Sequence, residues 1–259
     1  MEFQEYLVDK IFQVTSDIFS FRVIPVRGNI FSYIPGQFAG VINPSQDNLP
    51  HYLSMTSVPG CGYLEFYVRI FGPWTKYLSR EKAGKKLYLV GPYGKFIFTP
   101  SYKKTVFVAG GVGISPFISI LRFLRERKKR QNIMLIYADR NPDSILFTEE
   151  ISAFTKEKYL VKAVRVFSEY NPSGKFRNLI NKEFISREIT IPEENDFFIC
   201  GSPNFVLNIR KILTEMGVNE ENLQLELLTR KDRMLINKVI TEKMNVITRE
   251  KENFIIYQN

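Results

Sequence analysis

The stretch Val108-Ala109-Gly110-Gly111-Val112-Gly113-Ile114-Ser115-Pro116 carries the clearest chemical signal in this chain. An apolar run, Thr105–Ala109, leads straight into the three glycines, and an amphipathic run opening on Pro116 follows them. Glycine lets the backbone approach phosphate oxygens closely and adopt conformations that a side chain forbids. A helix starting near Pro116 would aim its free N–H groups and the positive end of its dipole at the same loop. Proline is well tolerated in that first turn, and Ser115 can either cap the helix or bond a phosphate. The spacing is not the usual G-x-G-x-x-G. By itself the loop therefore reads as a phosphate cradle or as a tight strand–helix turn without a ligand.

Other chemistry is narrowed by what is scarce. The chain has two cysteines, Cys61 and Cys200, and one histidine, His51. Two cysteines are too few for a four-cysteine iron–sulfur site, and one histidine argues against multi-histidine zinc or iron centres, so no metal is expected. The net charge of +9 would suit nucleic acid, anionic lipid or an acidic protein. The aromatic residues sit in strand-like runs and do not interleave with a basic patch, which disfavours nucleic acid. The run Arg125-Glu126-Arg127-Lys128-Lys129-Arg130 closes a helical stretch. It reads as a solvated helix end or as a docking surface for an acidic partner.

These residues need a scaffold, and 259 residues are enough for two modest domains. Hydrophobic residues make up 44% and charged residues 24%, as in globular proteins generally. No apolar run reaches the roughly 18–20 residues that span a bilayer. The first residues lack the pattern of a secretory signal, so the cytoplasm is the expected compartment and membrane association is unsupported. Up to about residue 100, short β-rich runs are divided by Gly, Pro and Asn: Tyr6–Val14, Phe19–Pro25, Gln37–Ile42, Tyr63–Phe71 and Lys86–Val90. That texture predicts an antiparallel barrel or sandwich. Beyond it, strands expected at Thr105–Ala109, Asn132–Tyr137, Tyr159–Phe167, Asp196–Cys200 and Leu223–Leu227 alternate with helices at Pro116–Lys129, Ser144–Lys156 and Asn204–Met216. Such alternation predicts a doubly wound parallel sheet. The expected division is an N-terminal domain over 1–100, a second over 101–228 and a charged, partly helical tail over 229–259.

The order of motifs resembles the ferredoxin–NADP reductase superfamily over about residues 5–228. Pro35-Gly36-Gln37-Phe38 is similar to that family's P-G-Q-F turn, and Leu53-Ser54-Met55-Thr56-Ser57-Val58-Pro59 to its flavin motif R-x-[Y/F]-[S/T]-x-x-S. Gly72-Pro73-Trp74-Thr75 resembles its diphosphate loop, and Gly91-Pro92-Tyr93-Gly94-Lys95-Phe96 the segment that ends its barrel. Gly110–Pro116 resembles its nicotinamide dinucleotide loop, Ile199-Cys200-Gly201-Ser202-Pro203 its I-C-G-x-P segment, and Leu225-Glu226-Leu227 its closing acidic position. The resemblance implies a barrel that binds flavin, FAD in preference to FMN, and a second domain that binds NADPH or NADH. It implies hydride transfer from nicotinamide to flavin, then electron transfer to an acidic carrier such as ferredoxin or flavodoxin. The alternative is an electron-transfer subunit of a larger complex with little activity alone, which would have a partner subunit in place of the carrier. Family members with an iron–sulfur extension carry four cysteines there, and Leu227–Asn259 has none.

The same resemblance assigns residues. Ser54 would bond flavin N5, Cys200 would lie beside the nicotinamide, and Glu226 would stabilise charge or relay a proton there. Gly72 and Thr75 would hold the flavin diphosphate. Gly110, Gly111, Gly113, Ser115, Pro116 and Gly201 would hold the dinucleotide. Asp139 and Arg140, with Lys175-Phe176-Arg177, would choose between NADH and NADPH; the acid favours a free ribose hydroxyl and the arginine a 2′-phosphate. Two positions depart from the pattern. His51 stands where the family has arginine, which would pair bidentately with diphosphate. Leu53 stands where an aromatic ring packs on the flavin, and Tyr52, one residue away, would face the other side of the strand. Arg69 could restore the missing charge or be a solvated strand residue. These departures leave open a member that binds nucleotide without redox turnover.

Overall fold

The structure is a computed structural model that describes residues 3–99, 104–168 and 180–226. Six strands form the first sheet: β1 (Gln4–Gln13), β2 (Ile18–Pro25), β3 (Phe38–Ile42), β4 (His51–Ser54), β5 (Leu64–Arg69) and β6 (Lys86–Tyr93). Their order is β4-β3-β6-β1-β2-β5, every pairing antiparallel. Leu64, Phe66 and Val68 of β5 are buried while Glu65, Tyr67 and Arg69 are partly exposed, the period of two that a half-buried strand requires. The inward set packs with Tyr6, Phe19, Phe21 and Leu87 into the core of this half. The edge strands β4 and β5 meet just past Ser54, where the Thr56 N–H donates to the Glu65 carbonyl at 2.9 Å and the sheet closes on itself. Between β5 and β6 lies one short helix, α1 (Pro73–Leu78).

The second sheet is all parallel, in the order β11-β10-β7-β8-β9. Its strands are β7 (Lys104–Gly110), β8 (Ile133–Asp139), β9 (Lys162–Phe167), β10 (Asn195–Cys200) and β11 (Leu223–Glu226). The strands alternate with α2 (Ser115–Glu126), α3 (Thr148–Lys156), α4 (Lys182–Glu188) and α5 (Pro203–Glu215). β7 shows why its run is apolar throughout: Phe107 and Ala109 pack with Phe117, Leu121 and Phe154 on one face. Val106 and Val108 pack with Phe184, Val206 and Ile209 on the other. This is the expected antiparallel barrel followed by a doubly wound parallel sheet.

Several boundaries differ from expectation for local reasons. α3 starts at Thr148 rather than Ser144, because Pro142–Ser144 form a separate 3-10 turn closed by the Asn141 side chain. Phe147 then takes a left-handed φ of 57° before the helix restarts. α2 ends at Glu126 rather than Lys129, since Lys128 turns left-handed with φ of 53°. α4 was not expected from the sequence; it is a two-turn helix capped by Asn181, whose side chain accepts from the Phe184 N–H at 2.8 Å. The expected boundary at Pro100-Ser101, the segment Lys175-Phe176-Arg177 and the 229–259 tail lie outside the described residues. Among the described residues no helix is long and apolar enough to cross a membrane.

Candidate active site between the two sheets

Parallel register brings the chemistry to one edge. Cys200 pairs with Ala109 of β7 on one side and with Glu226 of β11 on the other, and Gly110 pairs with Ala138 of β8. Gly110, Asp139, Cys200 and Glu226 thus share the carboxyl edge of the sheet, where open parallel sheets gather ligands. From the barrel, β3–β4 pairing sets Ser54 opposite Phe38. A cavity of about 1070 Å³ opens between the two halves. It is lined from the barrel by Tyr52, Leu53, Ser54 and Arg69, and from the other half by Gly110, Gly111, Gly113, Ser115, Asp139, Arg140, Cys200, Gly201 and Glu226.

The glycine loop is a 3-10 turn, Gly111–Ile114, running into α2 with a proline in its first turn. Gly111 has φ of 57°, in the left-handed region. Gly113 admits no side chain, since a Cβ there would stand 2.6 Å from the Cys200 carbonyl oxygen. The loop is thereby pressed against the end of β10. Ser115 does not cap the helix: its hydroxyl donates to the Val112 carbonyl at 2.8 Å and the residue is buried. Its side chain closes the turn on itself, and Ile114 holds the cap position without a side-chain bond.

Across the cavity, burial shapes the ionisable groups. The Cys200 thiol is pushed well up by burial and by the neighbouring Glu226 carboxyl, so it stays protonated at neutral pH. Burial pushes Glu226 up to about 8. Its Oε2 has no hydrogen-bond partner among the described residues, although the residue lines the cavity. An orphaned carboxyl facing a cavity suits an incoming ring with polar edges. With Ser54 on the opposite wall, the residues fit a flavin and a nicotinamide laid between the halves.

The charged residues whose roles the sequence leaves open are paired with one another in the structure. Asp139, with its side chain 2% exposed, accepts from Arg69 Nη2 at 3.3 Å and from the Arg140 backbone N–H at 2.8 Å. Arg140 is itself paired with Asp17, and Arg69 Nε lies 3.7 Å from that same carboxylate. Arg69, with its side chain 29% exposed, is therefore committed to a partner, and it ties β5 to β8 at the cavity mouth.

The structure does not bring His51, Gly72, Thr75 or Pro116 to the cavity wall. His51, Gly72 and Thr75 gather instead around Trp74. The His51 ring stacks on the Trp74 ring at 3.8 Å and 14°, and its Nε2 lies 3.4 Å from Asp47. Burial lowers the imidazole further than Asp47 raises it, so the ring is neutral at pH 7. Gly72, with φ of 84°, precedes α1, and the Thr75 hydroxyl accepts from the Phe71 N–H at 2.7 Å. Sequence reasoning missed Tyr67, which lines the cavity from β5, and Phe205, which packs against Gly110 and Gly201. Tyr67 sits on the partly exposed face of an alternating strand, a pattern that marks it no more than its neighbours.

Comparison with known proteins agrees with this arrangement. The family model described as the oxidoreductase NAD-binding domain matches residues 107–211. A flavohemoprotein of Bacillus thuringiensis subsp. konkukian is 29% identical over 245 residues, covering 87% of this chain and 60% of that protein. NADH-cytochrome b5 reductase 1 of Coccidioides immitis is 25% identical over 240 residues, covering 86% of this chain and 77% of that protein. The chain thus spans about 60% of the length of the flavohemoproteins it matches. Among solved structures, a ferredoxin NADP+ reductase from Neisseria gonorrhoeae with bound FAD and NADP superposes with a TM-score of 0.74 at 22% identity, covering 87% of this chain and 98% of that one.

Proposed function

We propose that this chain, which has the two-domain fold of the ferredoxin–NADP reductase superfamily, is an NAD(P)H-dependent flavin oxidoreductase that holds FAD on residues 1–100 and the dinucleotide on residues 101–228. One observation carries the reading. A single cavity joins Ser54 and its flanking strand to the glycine loop, Cys200 and Glu226. Flavin accepts hydride from a nicotinamide and releases electrons onward. The chain's own residues bind, orient and exclude water. Tyr52, Leu53 and Ser54 present the barrel wall on which the flavin ring would lie. Gly72 and Thr75, at the head of α1, would receive its diphosphate without a cation from neutral His51. The Gly110–Gly113 backbone would take the dinucleotide diphosphate, with Ser115 and Pro116 fixing the start of α2 behind it. Protonated Cys200 and Glu226 would border the nicotinamide, and a carboxyl poised near 8 can hold or release a proton there.

The acceptor we assign is an acidic electron-carrier protein of the ferredoxin or flavodoxin type. The exposed basic residues from Arg127 to Arg130, past the end of α2, support this. Two free cysteines fit a reducing cytoplasm. The test is direct. Purified protein should be yellow, with flavin absorbance near about 450 nm. It should bleach anaerobically with NADH or NADPH, and the faster of the two identifies the donor. A colourless protein that takes up neither FAD nor FMN would sink the proposal. Carrier reduction that does not fall as salt rises would remove the acidic partner.

A further inference from the structure

A half-buried cross-link on the far side of the domain interface from Arg69 is not used by any step above. Arg122 lies on α2, seven residues after Ser115, roughly 10 Å along the helix from the glycine loop. Its Nε and Nη2 donate to the two oxygens of Glu150, on α3, at 2.8 and 2.9 Å. That bidentate fork fixes the plane of the guanidinium within the dinucleotide half. Both remaining contacts cross the interface from a single nitrogen. Nη1 donates to Glu65 Oε2 at 2.7 Å and to the Thr56 carbonyl at 2.9 Å. One turn earlier on the same helix face, the buried Ser119 hydroxyl donates to the Ser57 carbonyl at 2.7 Å.

Two adjacent carbonyls of the barrel, at Thr56 and Ser57, are therefore held by two side chains of one helix. Thr56 is two residues beyond Ser54 and lies at the seam where β4 meets β5. The seam is tightly tied within the barrel as well. The Thr56 hydroxyl bonds the Glu65 carboxylate at 3.1 Å, and the Ser57 hydroxyl lies 2.9 Å from that of Tyr33. Burial alone would raise Glu65, but Arg122, Thr56 and Arg22 hold it below the usual carboxylate range. The contacts at the cavity mouth differ in kind. Arg69, Asp17 and Arg140 have side chains 28–47% exposed, so solvent screens the pairs on Asp17, although Asp139 beneath Arg69 is 2% exposed. The Arg122 side chain is 19% exposed and its carboxylate partners 13–20%.

We propose that Arg122 and Ser119 are positioning residues: acting from the helix that carries the glycine loop at its head, they hold the Thr56–Ser57 peptide and so set the separation between Ser54 and that loop. This rests on the flavin and dinucleotide reading above, because that separation matters only if two rings meet in the cavity. Lysine cannot replace the fork, since a point charge cannot hold Glu150 bidentately while reaching two acceptors across the interface.

The test uses the full chain with Arg122→Lys, Arg122→Ala and Ser119→Ala. In flavin-free protein, hydrogen exchange at the amides of residues 55–58 should quicken in all three, while amides around Tyr6 and Phe21 stay protected. In FAD-loaded protein, Arg122→Lys should keep its flavin and its half-saturating dinucleotide concentration within about twofold. Flavin reduction should slow roughly 10- to 100-fold. The isotope effect with deuterated dinucleotide should become temperature-dependent, which a loss of stability alone would not produce. Ser119→Ala should show the same signature at about threefold. Parental reduction rates in flavin-loaded Arg122→Lys and Ser119→Ala would overturn the proposal. So would exchange that rises uniformly across the barrel. If Arg122→Ala does not fold, the other two variants decide. If the parent itself binds no flavin, the functional reading fails, while exchange at residues 55–58 still reports whether the helix holds that peptide.

Discussion

The two halves of the cavity are built by different means. The wall from the parallel-sheet half is made of backbone: Gly113 is pressed against the Cys200 carbonyl, and Gly111 adopts a left-handed turn that a side chain would strain. The barrel wall is made of side chains, Tyr52, Leu53, Ser54 and Arg69, and His51, which is not on that wall, stacks on Trp74 and is neutral. Backbone geometry tolerates almost no substitution, because the space a Cβ needs is already occupied. Side-chain anchoring can drift, because a ring stacked on tryptophan fills the same place as an aliphatic stem with a cationic head. The wall made of glycine is therefore fixed by its backbone, and the wall made of side chains leaves room for other residues.

That contrast can be broken at its strongest point first. Gly113→Val should abolish dinucleotide-driven bleaching, slowing it by about a hundredfold or more, while flavin absorbance persists. Stopped-flow reduction beside a flavin spectrum reads both, and parental reduction would mean that the loop gives way. Next in size, Ser54→Ala should slow flavin reduction roughly 10- to 50-fold with the melting temperature unchanged. An unaltered rate removes Ser54 from the chemistry. Beside the barrel wall the change should be a gain. His51→Arg should restore a cation beside the head of α1 while still covering Trp74, and should tighten FAD by about tenfold in a flavin-release titration. Weaker retention would show that the imidazole is itself the better fit.

The smallest effect concerns Glu226. Its carboxyl stays protonated to about pH 8 in the folded chain. Unfolded, it ionises near an ordinary pKa of about 4.3. Folding therefore takes up a proton between those values, and its contribution to stability falls as pH rises across that window. Flavin-free Glu226→Gln should melt above the parent at pH 8.5, by about 3–6 °C, with the gap shrinking towards pH 5. A gap independent of pH would mean that the orphaned oxygen finds a partner.

Much of this was legible in the sequence, for identifiable reasons. The apolar run of β7 into glycines, the strand end at Cys200 and the alternation in β5 are local patterns with one physical solution each. The start of α3 was not legible, because Ser144 continues an apparent helix until Asn141 caps a separate turn in front of it. The fates of Asp139, Arg140 and Arg69 were hidden as well. Their partners lie far along the chain, Arg69 with Asp139 and Arg140 with Asp17, so no local spacing encodes the pairs. Arg122 was the least visible. It precedes a basic run that reads as a solvated helix end, and its half-buried partners are 57 and 28 residues away.

The seam of the barrel has a consequence for how the protein is made. Thr56 and Glu65 leave the ribosome early, yet the guanidinium that clasps them follows at position 122, and the carboxylate that aims it only at 150. Until then the seam rests on its bonds within the barrel alone, Thr56 to Glu65 and Ser57 to Tyr33. A nascent or truncated chain ending near residue 99 should thus show β4 and β5 fraying apart while the Tyr6–Phe21 core is already protected. Protease cutting between residues 54 and 62 of stalled chains would detect that window. Chains halted after residue 150 should resist the same cut.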